Sequence, residues 1–163
     1  MTTHTALATK TTSAASAAPK RSRKLAVRLG LVLAAGAVVL ASAACNVDEQ
    51  LVMDKTNQTR AENGRGALQM NVALWMKAGG WSIKMANDGR LSHSTLADGN
   101  PYKWSMLGEN VGTGGSIDAI YGALVRSPGH FSNIVNSNFT HTGVGIYFDG
   151  RNYWVTQEFM ALQ

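Results

Sequence analysis

Between Asp48 and about Asn63 polar and apolar residues alternate irregularly with no proline or internal glycine, and Gly64 then offers a stop. This predicts a first helix. Asn71 is placed to cap a second, in which Leu74, Ala78, Trp81 and Met85 recur at spacings of four, three and four, one face of a helix. Asn87-Asp88-Gly89 closes it with residues that tolerate left-handed backbone. A third helix is expected after Ser116, with Ile117, Ile120 and Leu124 on one side, and with Ser127-Pro128-Gly129 as its end. The period then falls to two. Val144, Ile146 and Phe148 alternate, as do Tyr153, Val155, Gln157 and Phe159, and the turn-forming group Asp149-Gly150-Arg151-Asn152 joins them into a β-hairpin. Helices followed by strands predict an α+β domain with helices packed on an antiparallel sheet. The Gly-rich stretch 112–115 lacks the Gly-Lys-Ser/Thr of a phosphate loop and is taken as a flexible loop.

The first 44 residues break this pattern. Residues 1–19 are mostly Thr, Ala and Ser; Lys20, Arg21, Arg23, Lys24 and Arg28 follow, then an uncharged apolar run from Leu29 to Leu40 and the small residues Ala41-Ser42-Ala43-Ala44. Basic segment, short apolar segment and small-residue exit form the pattern of an export signal. The apolar run is shorter than the roughly 20 residues of a membrane-spanning helix, so cleavage is expected and an uncleaved anchor is the alternative. The chain accordingly divides into a leader, 1–44, and one working domain, 45–163.

That division changes the meaning of the charge. The whole chain carries a formal +5, but the leader holds six of the 15 basic residues and none of the acidic ones. The remaining nine basic residues face ten acidic ones, a net of −1. Nucleic-acid binding, whose electrostatic footprint belongs on the folded domain, is therefore not expected. The one cysteine, Cys45, excludes an intrachain disulfide and leaves the domain to its core. Two readings of Cys45 stand open: a lipid-modified first residue attaching the protein to the envelope, or an incidental thiol after cleavage at Ala43 or Ala44. Ser42 stands where a lipoprotein signal usually has Leu.

Three histidines belong to the working domain: His93, His130 and His141. Leu91-Ser92-His93-Ser94 and Ser127-Pro128-Gly129-His130 surround the first two, and Gly108-Glu109-Asn110-Val111 lies between them. His93 and Glu109 are 16 residues apart, and Glu109 and His130 are 21 apart. A helical metal motif needs far shorter spacing, so any site here has to be assembled by the fold. No Ser or Cys nucleophile has an evident partner, and His141, just before the first hairpin strand, is read as a structural or surface residue.

In order, the chain contains Asn57-x-x-Arg60 with Gly64 and Leu68, then Leu74, Ala78 and Trp81, His93-Ser94, Gly108-Glu109-Asn110-Val111 and Ser127-Pro128-Gly129-His130. Asn133-Ile134-Val135, Phe139-Thr140, Gly143-Val144-Gly145 and Tyr153-Trp154-Val155-Thr156-Gln157-Glu158-Phe159 follow. This series, over about residues 50–160, resembles the CAP superfamily (cysteine-rich secretory protein, antigen 5, pathogenesis-related 1; the SCP domain), most closely its short bacterial secreted members. The resemblance implies a three-layer α-β-α sandwich around a central antiparallel sheet, with a cleft that carries two His and two Glu in the better-known members. It places the histidines at His93 and His130, where they can hold a divalent metal such as Zn²⁺, and the first acid at Glu109. The second acid has no match: the helix before His130 offers only Asp118, a residue suited to a helix's first turn.

Two imidazoles and a carboxylate suit either metal binding or proton transfer. Tyr102, Trp104 and Asn110 are expected to line the ligand cleft, while Trp81 is assigned to the core. The favoured function is an extracellular or envelope-attached binding module, taken as a monomer, for a hydrophobic, glycan or peptide ligand. Its membrane contact would run only through an uncleaved or lipidated N-terminus. The alternatives are a metal-dependent hydrolase of peptides or envelope polymers with Glu109 as catalytic base, and a matrix protein with no small ligand.

Overall fold

The computed structural model describes residues 47–163; the leader, the export boundary and Cys45 lie outside the described residues. The elements are α1 (Val47–Glu62), β1 (Gln69–Met70), α2 (Val72–Asp88), β2 (Trp104–Gly114), α3 (Ile117–Arg126), α4 (Pro128–Ile134), β3 (His141–Phe148) and β4 (Tyr153–Leu162). The expected caps are in place. Asn71 accepts the Leu74 N–H at 3.1 Å, and Gly89 closes α2 at φ 62°, a left-handed conformation that favours glycine. Ser116 caps α3 by accepting the Ala119 N–H.

Two sequence expectations are corrected. Ser127-Pro128-Gly129 is a start as well as a stop: the Ser127 N–H closes α3 on the Ala123 and Leu124 carbonyls, and Pro128, at a first-turn position where its missing N–H costs nothing, opens α4. The Gly-rich stretch 112–115, taken as a flexible loop, lies for the most part in the 11-residue strand β2, which also carries Glu109. Its Gly108, Gly112 and Gly114 hide the alternation, because they sit where neighbouring side chains reach the strand. A Cβ at Gly112 would lie 2.7 Å from the Ile120 side chain, and one at Gly108 would lie 2.9 Å from the Phe139 ring.

The sheet runs β1-β3-β4-β2. Strands β3, β4 and β2 are antiparallel as expected, while the two-residue β1 joins β3 in parallel and makes the sheet mixed. Successive strand residues face opposite layers. On one face Val144, Val155, Phe159 and Ala161 meet Val52 and Met53 of α1, Ile120 and Leu124 of α3 and Ile134 of α4 in the main core. On the other, α2 lies so close to β3 that a Cβ on Gly143 or Gly145 would overlap the helix backbone at Leu74–Trp75 or Ala78–Gly79. A smaller cluster of Met85, Val111 and Trp154 completes that side. The outcome is the expected three-layer α-β-α sandwich, with β2 at one sheet edge. No helix among the described residues is long and apolar enough to cross a membrane.

Candidate functional site

The site is built around strand β2. Alternation turns Glu109 and Val111 toward the α2 layer, and Gly108, Asn110 and Gly112 toward α3 and α4. Glu109 is 5 % exposed. Its Oε1 accepts the Ser94 N–H at 2.9 Å and meets His93 Nδ1 at 2.7 Å. A carboxylate oxygen accepts, so Nδ1 carries the hydrogen and Nε2 is left as the basic nitrogen. The His93 side chain itself is 60 % exposed. His93 and Glu109, paired by resemblance, therefore meet in space.

Directly across the ladder from Glu109 stands Glu158 of β4. It is completely buried. Its Oε1 accepts Lys77 Nζ of α2 at 2.9 Å and the Ser94 hydroxyl at 3.2 Å. Burial pushes the Glu158 carboxyl up to about 7 against the pull of Lys77, and the facing Glu109 carboxylate pushes the same way. Both remaining carboxyl oxygens, Glu109 Oε2 and Glu158 Oε2, are buried and lack a donor. A proton on Glu158 Oε2 donating to Glu109 Oε2 satisfies both, as two acceptors alone cannot. Lys77, two carboxyls and one proton are then neutral together, which is what makes so many ionisable groups tolerable in the interior.

Glu158 is thus the second acid of this site, and it comes from a strand rather than from the helix before His130. Asp118 points away: it pairs with Lys55 at 2.9 Å and is 75 % exposed. The signals for Glu158 and Lys77 were present in the sequence. Trp154, Thr156, Glu158 and Met160 alternate on one face of the last strand, and Lys77 stands three residues after Leu74 and four before Trp81, beside the apolar stripe of α2. A charge at an inward position calls for a partner.

His130 lies in α4, across the edge of β2 from His93, and is half-buried. Burial first, and the nearby His93 second, lower its basicity below the ordinary imidazole value. Its carbonyl accepts Asn110 Nδ2 at 3.1 Å, while Asn110 Oδ1 accepts Asn133 Nδ2 at 3.0 Å. With its amide used at both ends and no exposure, Asn110 works as a strut between β2 and α4 rather than as a cleft wall. Beside His130 an open groove of about 230 Å³ runs along β2, walled by Leu91, Val111, Ile120, Ala123 and Leu124, with Thr113, Ser127 and His130 as its polar edges. Tyr102 and Trp104 are exposed but do not line it. Trp104 begins β2, roughly 20 Å along the strand from Val111. Trp81, expected in the core, is half-buried and donates its indole N–H to the Ser92 carbonyl at 2.8 Å. His141 pairs with the Thr140 hydroxyl at 2.8 Å, away from the site.

The donor set does not make up a zinc centre of three protein ligands. One Glu109 oxygen is taken by His93 and Ser94 and the other faces Glu158, which leaves only the two imidazoles. Among the described residues no group of three His, Cys, Asp or Glu is arranged to hold a metal.

Comparison with known proteins agrees with this architecture. An uncharacterized Bacillus subtilis protein, YkwD, is 31% identical over 122 residues, covering 69% of this chain and 47% of the relative. The chain thus spans about half the length of that curated relative. An extracellular SCP-domain protein of Bacillus anthracis superposes with a TM-score of 0.59 at 29% identity, over 69% of this chain and 40% of that one. An outer surface protein of Borrelia burgdorferi shares the fold with a TM-score of 0.64 at 14% identity, over 71% of this chain and 93% of that one. The model of the cysteine-rich secretory protein family, CAP, matches residues 53–159, a span that takes in His93, Glu109, His130 and Glu158. The chain belongs to the CAP family.

Proposed function

We propose that this chain is an exported, envelope-facing binding module whose groove holds the apolar part of a small amphipathic ligand. In this reading the His93–His130 pair meets the ligand's polar end. The groove carries the proposal: it is open, mostly apolar, and bordered by an imidazole whose basicity is lowered by burial and by its neighbour His93. A concave apolar surface with a few convergent polar groups is the usual form of a small-molecule site. The export pattern of the leader and the extracellular description of the Bacillus anthracis relative support an outside location.

Ala123, exposed on the groove wall, offers a test that leaves the core intact. Calorimetric titration of the purified chain with a medium-chain fatty acid and with its lysophospholipid is expected to show one saturable site, weakened at least about tenfold by Ala123→Phe. Saturable binding that Ala123→Phe leaves unchanged would remove the groove from the proposal.

The His93–Glu109 contact favours a second reading, hydrolysis. A carboxylate that fixes one ring nitrogen leaves the other as a general base for a water molecule. Any metal on this route would rest on two imidazoles with water completing its shell, so the proton transfer is assigned to His93 and Glu109 alone. Turnover of peptide or envelope-polymer substrates that His93→Ala abolishes would favour this reading over the first.

A further inference from the structure

The segment from Leu91 to Asn100 contains neither helix nor strand, yet it carries His93. Three elements hold it. From α2, Trp81 donates to the Ser92 carbonyl at 2.8 Å and Lys77 Nζ donates to the Leu96 carbonyl at 2.8 Å. From β2, Glu109 accepts the Ser94 N–H, and from β4, Glu158 accepts the Ser94 hydroxyl. Lys77 and Glu158 are also bonded to each other, with side chains 12% and 0% exposed.

We infer that Lys77 and Glu158 are positioning residues for His93: their contact clamps residues 94–96 onto the sheet, so that the ring gives Nδ1 to Glu109 and keeps Nε2 for what enters the cleft. Stability alone does not account for such a pair. Ionisable groups taken out of water recover little more than their desolvation, and well-packed apolar residues of similar volume usually do as well or better. What the pair adds is direction. Lys77 reaches Leu96 with a donor that an apolar residue lacks, and Glu158 holds Ser94, the residue whose own N–H holds Glu109. The clamp therefore acts on both partners of the His93–Glu109 contact, from the loop side and from the strand side. It stands whether or not the groove takes the ligand proposed above.

The test reads the ring, not the ligand. In the full-length chain, nitrogen-detected NMR of the imidazoles is expected to show His93 as a single Nδ1–H tautomer, with a slowly exchanging Ser94 amide. In Lys77→Met the clamp is cut: the His93 ring should pass to a mixture of tautomers, and Ser94 exchange should quicken by about an order of magnitude. Lys77→Arg, which keeps a cationic donor, should restore the wild-type signature. If losing the cation beside the Glu109–Glu158 carboxyl pair keeps Lys77→Met from folding, the double variant Lys77→Met, Glu158→Gln removes both ionisable groups of the clamp and should show the same loss of the single tautomer. A His93 ring that stays a single Nδ1–H tautomer in either folded variant would overturn the inference, because a merely stabilising pair can be cut without touching the ring.

Discussion

Two buried charged centres lie on opposite faces of the sheet and are treated in opposite ways. On the α1 side, Arg60 is 2 % exposed and places its guanidinium entirely on backbone carbonyls: Gly66 at 2.7 Å, Ile134 at 2.8 Å, Asn136 at 2.9 Å and Phe139 at 3.4 Å. These acceptors come from the loop after α1, from the end of α4 and from the irregular chain between α4 and β3, so one side chain organises two connections. On the α2 side, Glu109 and Glu158 are as deeply buried, yet each keeps one oxygen without a donor unless a proton lies between them. At the first centre every guanidinium nitrogen has an acceptor supplied by the fold; the second has some bonding capacity held open. A buried polar group left short of partners costs free energy, and such shortfalls are found where a protein does chemistry or recognition. The difference separates a residue whose bonds tie the domain together from residues whose bonding the fold leaves incomplete.

The strongest challenge to this contrast is Arg60→Met. It strips donors from four carbonyls and should destabilise the domain by about 4 kcal/mol in urea unfolding. Arg60→Lys should recover only a small part, since a single ammonium cannot span the same fork. A loss below about 1 kcal/mol would end the claim that Arg60 is a structural hub.

Acidity sharpens the other side. The folded chain keeps the Glu158 proton up to about pH 7, whereas the unfolded chain releases it near 4.5. Between those values the folded state binds more protons, so stability falls as pH rises through the window, by at most about 3 kcal/mol, and levels off above it. His130 acts in the opposite sense: its depressed basicity costs stability as pH drops below the ordinary imidazole value of 6.5. Both act in wild type, but Glu158→Gln removes only the first. The difference between the two unfolding curves should shrink steadily from pH 7 toward pH 4.5. Parallel curves would mean that Glu158 is ionised throughout and that no proton bridges the carboxyls.

The smallest effect belongs to Asp118, the acid in the helix before His130. Its ion pair with Lys55 lies in solvent, and Asp118→Ala should change stability by less than about 0.5 kcal/mol. Fatty-acid binding should be unaltered. A larger effect would show that the contrast between buried and exposed charges is drawn too sharply.

The fold was legible where spacing is regular. The α2 stripe from Leu74 to Met85, the Ser116 cap and the hairpin around Asp149–Asn152 follow from local rules. Strand β2 was hidden because Gly108, Gly112 and Gly114 replace the apolar residues that mark a strand; the side chains packing there come from later elements, Ile120 of α3 and Phe139 before β3. Missing β2 meant missing what Glu109 faces. His93 and Glu109 were named through family resemblance, but only the antiparallel register sets Glu109 opposite Glu158. Spacing along one chain carries no trace of that register. The same holds for Tyr102 and Trp104, which adjoin Glu109 in sequence while an extended strand carries them away from the groove.

The glycines at 143 and 145 have a mechanical consequence. With no side chains between helix and strand, α2 rests backbone on backbone against β3 and has no cushion through which to slide or roll. Across the sheet, α3 meets β2 through the Ile120 side chain over Gly112, a contact that a change of rotamer can loosen. The sandwich is thus stiff on the face that carries His93 and compliant on the face that carries the groove. Breathing motions of the sandwich belong to α3 and α4, while the His93 imidazole stays indexed to the sheet.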